Sequence, residues 1–192
     1  MSPKGTSAIR VAHTTAGFLA RVEGWGTMRE SPLLQEFAWE CLQGNASPLV
    51  VDLSACGYLD STFLGCLVGL HQHFGCDHPP RFVVAANAEQ RQRLLAPLQL
   101  HRVLKLIDEA PQHPGNWLTL CATGPSSLQS DPRQLGRHVL ECHRRLAELG
   151  GANEAVFGPI VEQLACDLQK AERRGETPVP REPREPSGAS CS

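Results

Sequence analysis

Pro48-Leu49-Val50-Val51-Asp52-Leu53-Ser54, with Asp60-Ser61-Thr62-Phe63-Leu64-Gly65-Cys66-Leu67 beginning six residues after Ser54, is the stretch that decides the fold. The first half is short, apolar and β-branched, bounded by proline at one end and by polar residues at the other. A run of this kind predicts a strand buried on both faces rather than one that alternates between core and water. The second half predicts a helix. Asp60-Ser61-Thr62 is start chemistry, and Phe63, Leu67, Leu70 and Phe74 follow at intervals of four, three and four, one apolar stripe. Gly75 is the natural stop.

The flanks extend the pattern. Upstream, Ile9, Val11 and His13 alternate with polar neighbours, Ala16-Gly17 signals a turn, and Phe18, Ala20 and Val22 resume the alternation, so residues 8 to 25 read as two short strands. Ser31-Pro32 then predicts a helix start, with Ser31 as the cap and proline at the first helical position. Leu33, Leu34, Phe37, Ala38, Cys41 and Leu42 form its apolar face, and Gly44-Asn45 ends it. Downstream, Arg81 to Ala86 is a second buried strand, Asn87 caps a helix toward Leu95 that Pro97 ends, and Leu100, Val103, Leu104, Leu106 and Ile107 close the unit by Ala110. Strand–helix–strand connections of this length give parallel neighbours with right-handed crossovers. The expected class is α/β: a single mixed sheet with helices mainly on one face.

The domain plan places a leader at 1–7, the α/β domain at 8–110, a connecting segment at 111–130, a helical hairpin at 131–172 and a disordered tail at 173–192. The connecting segment is rich in Pro, Gly and Ser, including Gly124, Pro125, Ser126 and Ser127. In the hairpin, Asp131-Pro132 caps the first helix, whose apolar positions are Leu135, Val139, Cys142, Leu146 and Leu149. After Gly150-Gly151, Asn153 caps a partner helix carrying Phe157, Ile160, Val161, Leu164 and Leu168, with Pro159 in or near its first turn. A hairpin of this size cannot bury a sufficient core alone. It must dock on the α/β domain, with Trp117 as intermediary, or pair with a second chain; the docked monomer is the preferred arrangement. The tail beyond Arg174 is Pro-, Glu- and Arg-rich and is expected to be disordered.

Composition narrows the function classes. The chain has 192 residues, 18 Lys and Arg against 20 Asp and Glu, and 41% hydrophobic residues. That balance carries no nucleic-acid footprint and no polybasic anchor. No apolar run is long enough for a bilayer span and no signal-peptide stretch stands at the N-terminus, so a cytoplasmic protein without membrane insertion is expected. Eight cysteines are spread through the chain with no CxxC, and several lie inside apolar runs, which reads as reduced, buried thiols. Cys66, His71, His73, Cys76 and His78 form the one dense cluster of ligand types. Their spacing matches no standard zinc pattern, and His71 and His73 leave a helix on nearly opposite sides, so no metal site is expected. No Gly-rich phosphate loop, GxSxG elbow or HExxH motif occurs, and neither a cofactor nor an enzymatic activity is expected.

The strand ending in Asp52-Leu53-Ser54, the Asp60-Ser61 at its spacing, Leu64-Gly65 and the closing Asp108-Glu109-Ala110 together resemble the STAS domain, whose members include the bacterial anti-sigma-factor antagonists. The likeness spans about residues 8 to 110. Phe63 departs from it, standing where the family usually has glycine; core packing is the preferred reading of that residue. The resemblance implies that Ser61, with Thr62 as fallback, is phosphorylated by a partner that is both anti-sigma factor and serine kinase of the histidine-kinase-like ATPase class. It also implies a partner-binding face of Gly57, Tyr58, Asp60, Ser61 and Thr62. The residues themselves also permit a plain helix cap at Asp60-Ser61-Thr62, and for Asp52 a strand-end carboxylate that accepts from nearby backbone. An alternative function within the same resemblance is a STAS subunit of a membrane transporter or other signalling complex, which docks without phosphorylation.

Overall fold

The computed structural model describes residues 7–44, 47–112, 115–121 and 131–174. The predicted leader (apart from Ser7), the end of the first helix at Asn45, the Gly124 to Ser127 part of the connecting segment and the tail beyond Arg174 lie outside the described residues.

Strands β1 (Ala8–Thr14) and β2 (Gly17–Gly26) form an antiparallel hairpin, with Ile9 opposite Val22 and Val11 opposite Ala20. These four side chains are buried, whereas Arg10, Arg21 and Glu23 alternate with them. Arg10 pairs with Glu23 at 3.3 Å, and Arg21 pairs with the Asp52 carboxylate at 2.8 Å. Asp52 also accepts from the Ser54 N–H at 2.8 Å, as expected of a strand-end carboxylate. Strands β3 (Leu49–Asp52), β5 (Phe82–Ala85) and β6 (Leu106–Ile107) continue the sheet in parallel, in the order β6-β5-β3-β2-β1-β7. The last strand, β7 (Leu118–Thr119), adds antiparallel to β1 from within the connecting segment.

Besides β7, a second strand escapes the sequence reading. Cys56–Leu59 is β4, parallel to the far end of β2, with Cys56 and Leu59 buried and Gly57 and Tyr58 exposed. Strand β2 is long enough to serve two neighbours on one edge: Phe18 to Arg21 pair with β3, and Gly24 to Gly26 pair with β4 across an irregularity. Nothing in Cys56-Gly57-Tyr58-Leu59 is periodic enough to announce this; the length of β2 decides it.

Helices α1 (Ser31–Gly44) and α2 (Ser61–Phe74) pack together and against the sheet. Residues from Thr62 to Leu70 are buried all round, which requires cover on the side of α2 facing away from the sheet. That cover is α4 (Pro132–Ala147), the first arm of a hairpin completed by α5 (Ala152–Arg174). Helix α3 (Ala88–Gln90) begins at Asn87 with a reciprocal Asn87–Gln90 capping box, and the chain continues through a wider turn at Arg91–Leu95. The expected docking of the hairpin on its own domain is what the structure contains.

Four local expectations are corrected. Ser31 does not cap α1: the Thr27 N–H and hydroxyl donate to the Glu30 carboxylate at 2.9 and 2.7 Å, and Ser31 turns its hydroxyl toward α4. Asn153 does not cap α5; it lies inside the helix, where its amide donates to the Leu98 carbonyl at 3.0 Å. Pro159 sits well inside α5, because the left-handed Gly150 and Gly151 let that helix begin at Ala152. Trp117 does not mediate the docking as expected: α4 meets α2 directly, and the Trp117 ring lies under the Arg21 guanidinium, 4.5 Å from its centroid.

Candidate functional site

The site is the junction of β2, β4 and the start of α2. Strand β4 ends at Leu59, and Asp60, in extended conformation, caps α2. Its two carboxylate oxygens accept from different segments: Oδ1 from the Phe63 N–H at 2.8 Å, Oδ2 from the Met28 N–H at 2.7 Å. One buried side chain thus caps the helix and ties it to the turn after β2. Burial pushes the Asp60 carboxyl up from its ordinary range, against the opposing pull of these two N–H donors and of nearby His143. Of the three start residues the cap is therefore Asp60, and Ser61 is the first helical residue.

Ser61 is partly buried, and its Oγ lies 2.9 Å from Nε2 of His143 on α4. The other ring nitrogen of His143 donates to the Val139 carbonyl at 2.8 Å. In the neutral ring this leaves Nε2 as the acceptor for the Ser61 hydroxyl. A second pair repeats the arrangement at the start of α1, where Ser31 Oγ lies 2.8 Å from Nε2 of His138. Burial, aided by the charge of Arg145, lowers the His138 pKa to about 4. Its Nδ1 is buried without a hydrogen-bond partner among the described residues. Helix α4 thus presents two buried histidines to two serines, one at the N-terminus of each sheet-covering helix.

The other predicted site residues divide by exposure. Gly57 and Tyr58 lie on the surface; Tyr58 is 39% exposed and meets the 49% exposed Trp25 edge-on, with ring centroids 6.0 Å apart. Thr62, the fallback acceptor, is only 3% exposed, so its hydroxyl sits behind the surface that Ser61 borders. Phe63 is fully buried and belongs to the core. Ser61 and Asp60 therefore lie close in sequence to an exposed aromatic pair, one member of which, Trp25, the sequence reading did not include.

The other candidate cluster does not converge. Cys66 is buried and faces the Ser31 carbonyl at 3.6 Å, His73 donates to the Gly69 carbonyl at 2.8 Å, and Cys76 is exposed. Among the described residues no group of three or more His, Cys, Asp or Glu side chains is placed to hold a metal ion. Nor is any helix of the described residues long and apolar enough to cross a membrane.

His138 and His143 are the functional-site residues that sequence reasoning missed. A signal existed: His143 lies four residues after Val139 and three before Leu146, on the same apolar stripe. A polar ring in that position must find a hydrogen-bond partner.

No family model matches the chain, and no curated protein matches it. Among solved structures, the chain is similar to an anti-sigma factor antagonist from Mycobacterium paratuberculosis, with 22% sequence identity and a TM-score of 0.42 over 56% of this chain and 89% of that one.

Proposed function

We propose that this chain is a regulatory protein-binding module of the anti-sigma-factor-antagonist kind, switched by phosphorylation of Ser61 by a partner serine kinase, and that it works in the cytoplasm with no catalytic site of its own. The observation that carries this reading is the placement of Ser61: the first residue of α2, partly buried at the edge of the surface, following the strand that bears the exposed Tyr58. The motif resemblance supports it independently. In the transfer, Ser61 Oγ forms a bond to the γ-phosphorus of a nucleoside triphosphate held by the kinase. The bond from that phosphorus to the departing nucleoside diphosphate breaks, and the hydroxyl proton passes to a base on the kinase.

The physics of such a switch is local. A phosphoserine brings about −1.5 to −2 charges and three acceptor oxygens. Ser61 borders the surface rather than the core, so the α/β domain keeps its fold when the group is added, while a partner surface matched to a neutral hydroxyl does not tolerate it. A second reading, docking without phosphorylation, draws on the hydrogen bond that already occupies the Ser61 hydroxyl. Affinity capture from the native cytosol, with mass spectrometry of partners and phosphosites, separates the two. The proposal expects a histidine-kinase-like ATPase among the partners and phosphate on Ser61. Capture of a transporter component with Ser61 unmodified would favour the second reading.

A further inference from the structure

Helix α4 does more than complete the core: it covers the residue on which the proposed switch depends. Four contacts seat it. His143 meets Ser61, His138 meets Ser31, Cys142 lies against Gly65, and Arg145 lies against Gly69. Leu146 is fully buried between the two layers. The glycines at 65 and 69, one helical turn apart, open a groove on α2 that the α4 backbone enters at Gly65 and the Arg145 guanidinium enters at Gly69. A Cβ at Gly65 would run into the Cys142 carbonyl.

We infer that the α4–α5 hairpin is an intramolecular lid over Ser61, such that the docked hairpin and a modified Ser61 exclude each other. The inference rests on the phosphorylation reading for its biological use, but its geometry stands apart from it. With Oγ 2.9 Å from His143 Nε2, the imidazole occupies the space a phosphoryl group would fill. A kinase delivering its nucleotide to Oγ meets the same obstacle. Nor can the phosphate slide along α2 instead. The buried Asp60 carboxylate already takes the Phe63 N–H, and it would lie beside the new charge. Modification therefore needs an open hairpin and, once made, holds it open. The rate a kinase achieves is its intrinsic rate scaled by the fraction of molecules with the lid undocked. A partner that captures the freed α4, or the uncovered Gly65–Gly69 face of α2, controls the switch without touching Ser61.

The test uses the full chain carrying Ser61→Cys and the thiol probe N-ethylmaleimide, with labelling rates resolved by peptide mass spectrometry. The chain supplies its own references: Cys76 and Cys121 are exposed, Cys41 and Cys56 are buried on α1 and β4, Cys66 is buried on α2, and Cys142 is buried on the lid's own inner face. The expected result is that the new thiol reacts at least roughly tenfold more slowly than Cys76, a measure of local opening. Adding Leu146→Glu should accelerate it together with Cys66 and Cys142, while Cys41 and Cys56 stay protected. If Cys41 and Cys56 also react, the domain has unfolded, and His143→Ala serves as the milder opening variant with the same expectation. A Ser61→Cys thiol as reactive as Cys76 in the otherwise native chain overturns the lid. So does a slow thiol that neither variant accelerates. No kinase enters this experiment, so its outcome is independent of the phosphorylation reading. If the lid is found and Ser61 takes no phosphate even in the opened chain, the lid stands and the phosphorylation reading falls.

Discussion

Replacing Gly65 by alanine sets two effects of known size against each other. In an open helix, glycine to alanine is worth about 0.8–1.0 kcal/mol of stability, because glycine loses the most backbone freedom on folding. Gly65 lies inside α2, where that gain should appear. The new methyl, however, would be driven into the carbonyl, carbonyl carbon and Cα of Cys142 on α4. These are backbone atoms of a packed helix, which cannot rotate aside as a side chain can. Overpacking of this kind costs about 1–3 kcal/mol as a measured net effect. We therefore expect Gly65→Ala to lose about 1–3 kcal/mol, which for a chain of this size is a fall in Tm of roughly 2–12 °C. Gly69→Ala is the control, since there the methyl's nearest neighbours are the guanidinium atoms of Arg145, the far end of a side chain that can swing away. It should be neutral or slightly stabilising. In a Leu146→Glu background with α4 undocked, Gly65→Ala should change sign and stabilise by about the propensity difference. Thermal unfolding followed by circular dichroism, with each variant measured alone and in the double, reads all of this. A Gly65→Ala chain that melts higher than the parent would refute the close approach of α4 to α2, and the lid with it.

Four further outcomes follow from the same geometry. Leu146→Glu places a charge where a leucine buries about 1.5–3 kcal/mol of transfer free energy; it should lower Tm with no change of mass in light scattering, whereas a halved mass would make the hairpin an interface between two chains. Asp60→Ala strips the partner from two N–H groups at once and should cost on the order of 3 kcal/mol in denaturant unfolding, with Asp60→Asn also destabilising, because its single amide oxygen can accept from only one of the Phe63 and Met28 N–H groups. Ser61→Ala should bind the partner and take no phosphate, and Ser61→Asp should bind more weakly in calorimetric titration; phosphate persisting on the Ser61→Ala chain at a residue other than Thr62 would exclude the assignment. The fourth is a pH dependence: the pKa of His138 falls from 6.5 unfolded to about 4 folded, so the folded state resists its protonation. The stability this histidine supports is present above pH 6.5 and is lost as the pH falls toward 4, on the order of 3 kcal/mol in all. The raised Asp60 carboxyl acts in the opposite sense in both chains. The difference between parent and His138→Gln across that window is thus the measure, and parallel curves would contradict the burial of the ring.

The strand at Leu49–Asp52, the helix after Asp60, the capped α3 and the amphipathic α4 are written in local chemistry. Each is marked by a period or a cap within a dozen residues, and parallel connections follow from their order. The stripe on α4 even demanded a covering surface, which is why docking on the domain could be expected. Ser61 itself was singled out by the resemblance of the strand and helix start around it to the STAS domain. Its surroundings were not legible. Strand β4 exists because β2 is long enough to pair on two successive neighbours, and that is settled only when the sheet assembles. Ser31 looks like a cap but points at His138, because the helix layer above offers a buried imbalance that a hydroxyl can satisfy. The contact that matters most joins Ser61 to His143, 82 residues apart in sequence. The chain determines that α4 carries a histidine on its apolar face, and hydrogen-bond physics determines that this ring must find a partner. Which partner, and therefore that the hairpin covers Ser61, depends on the register in which α4 settles against α2. Gly65 helps set that register by letting the α4 backbone come close, and Gly69 by leaving room for the Arg145 guanidinium, a steric fact that arises when the two helices meet and has no counterpart in either helix alone.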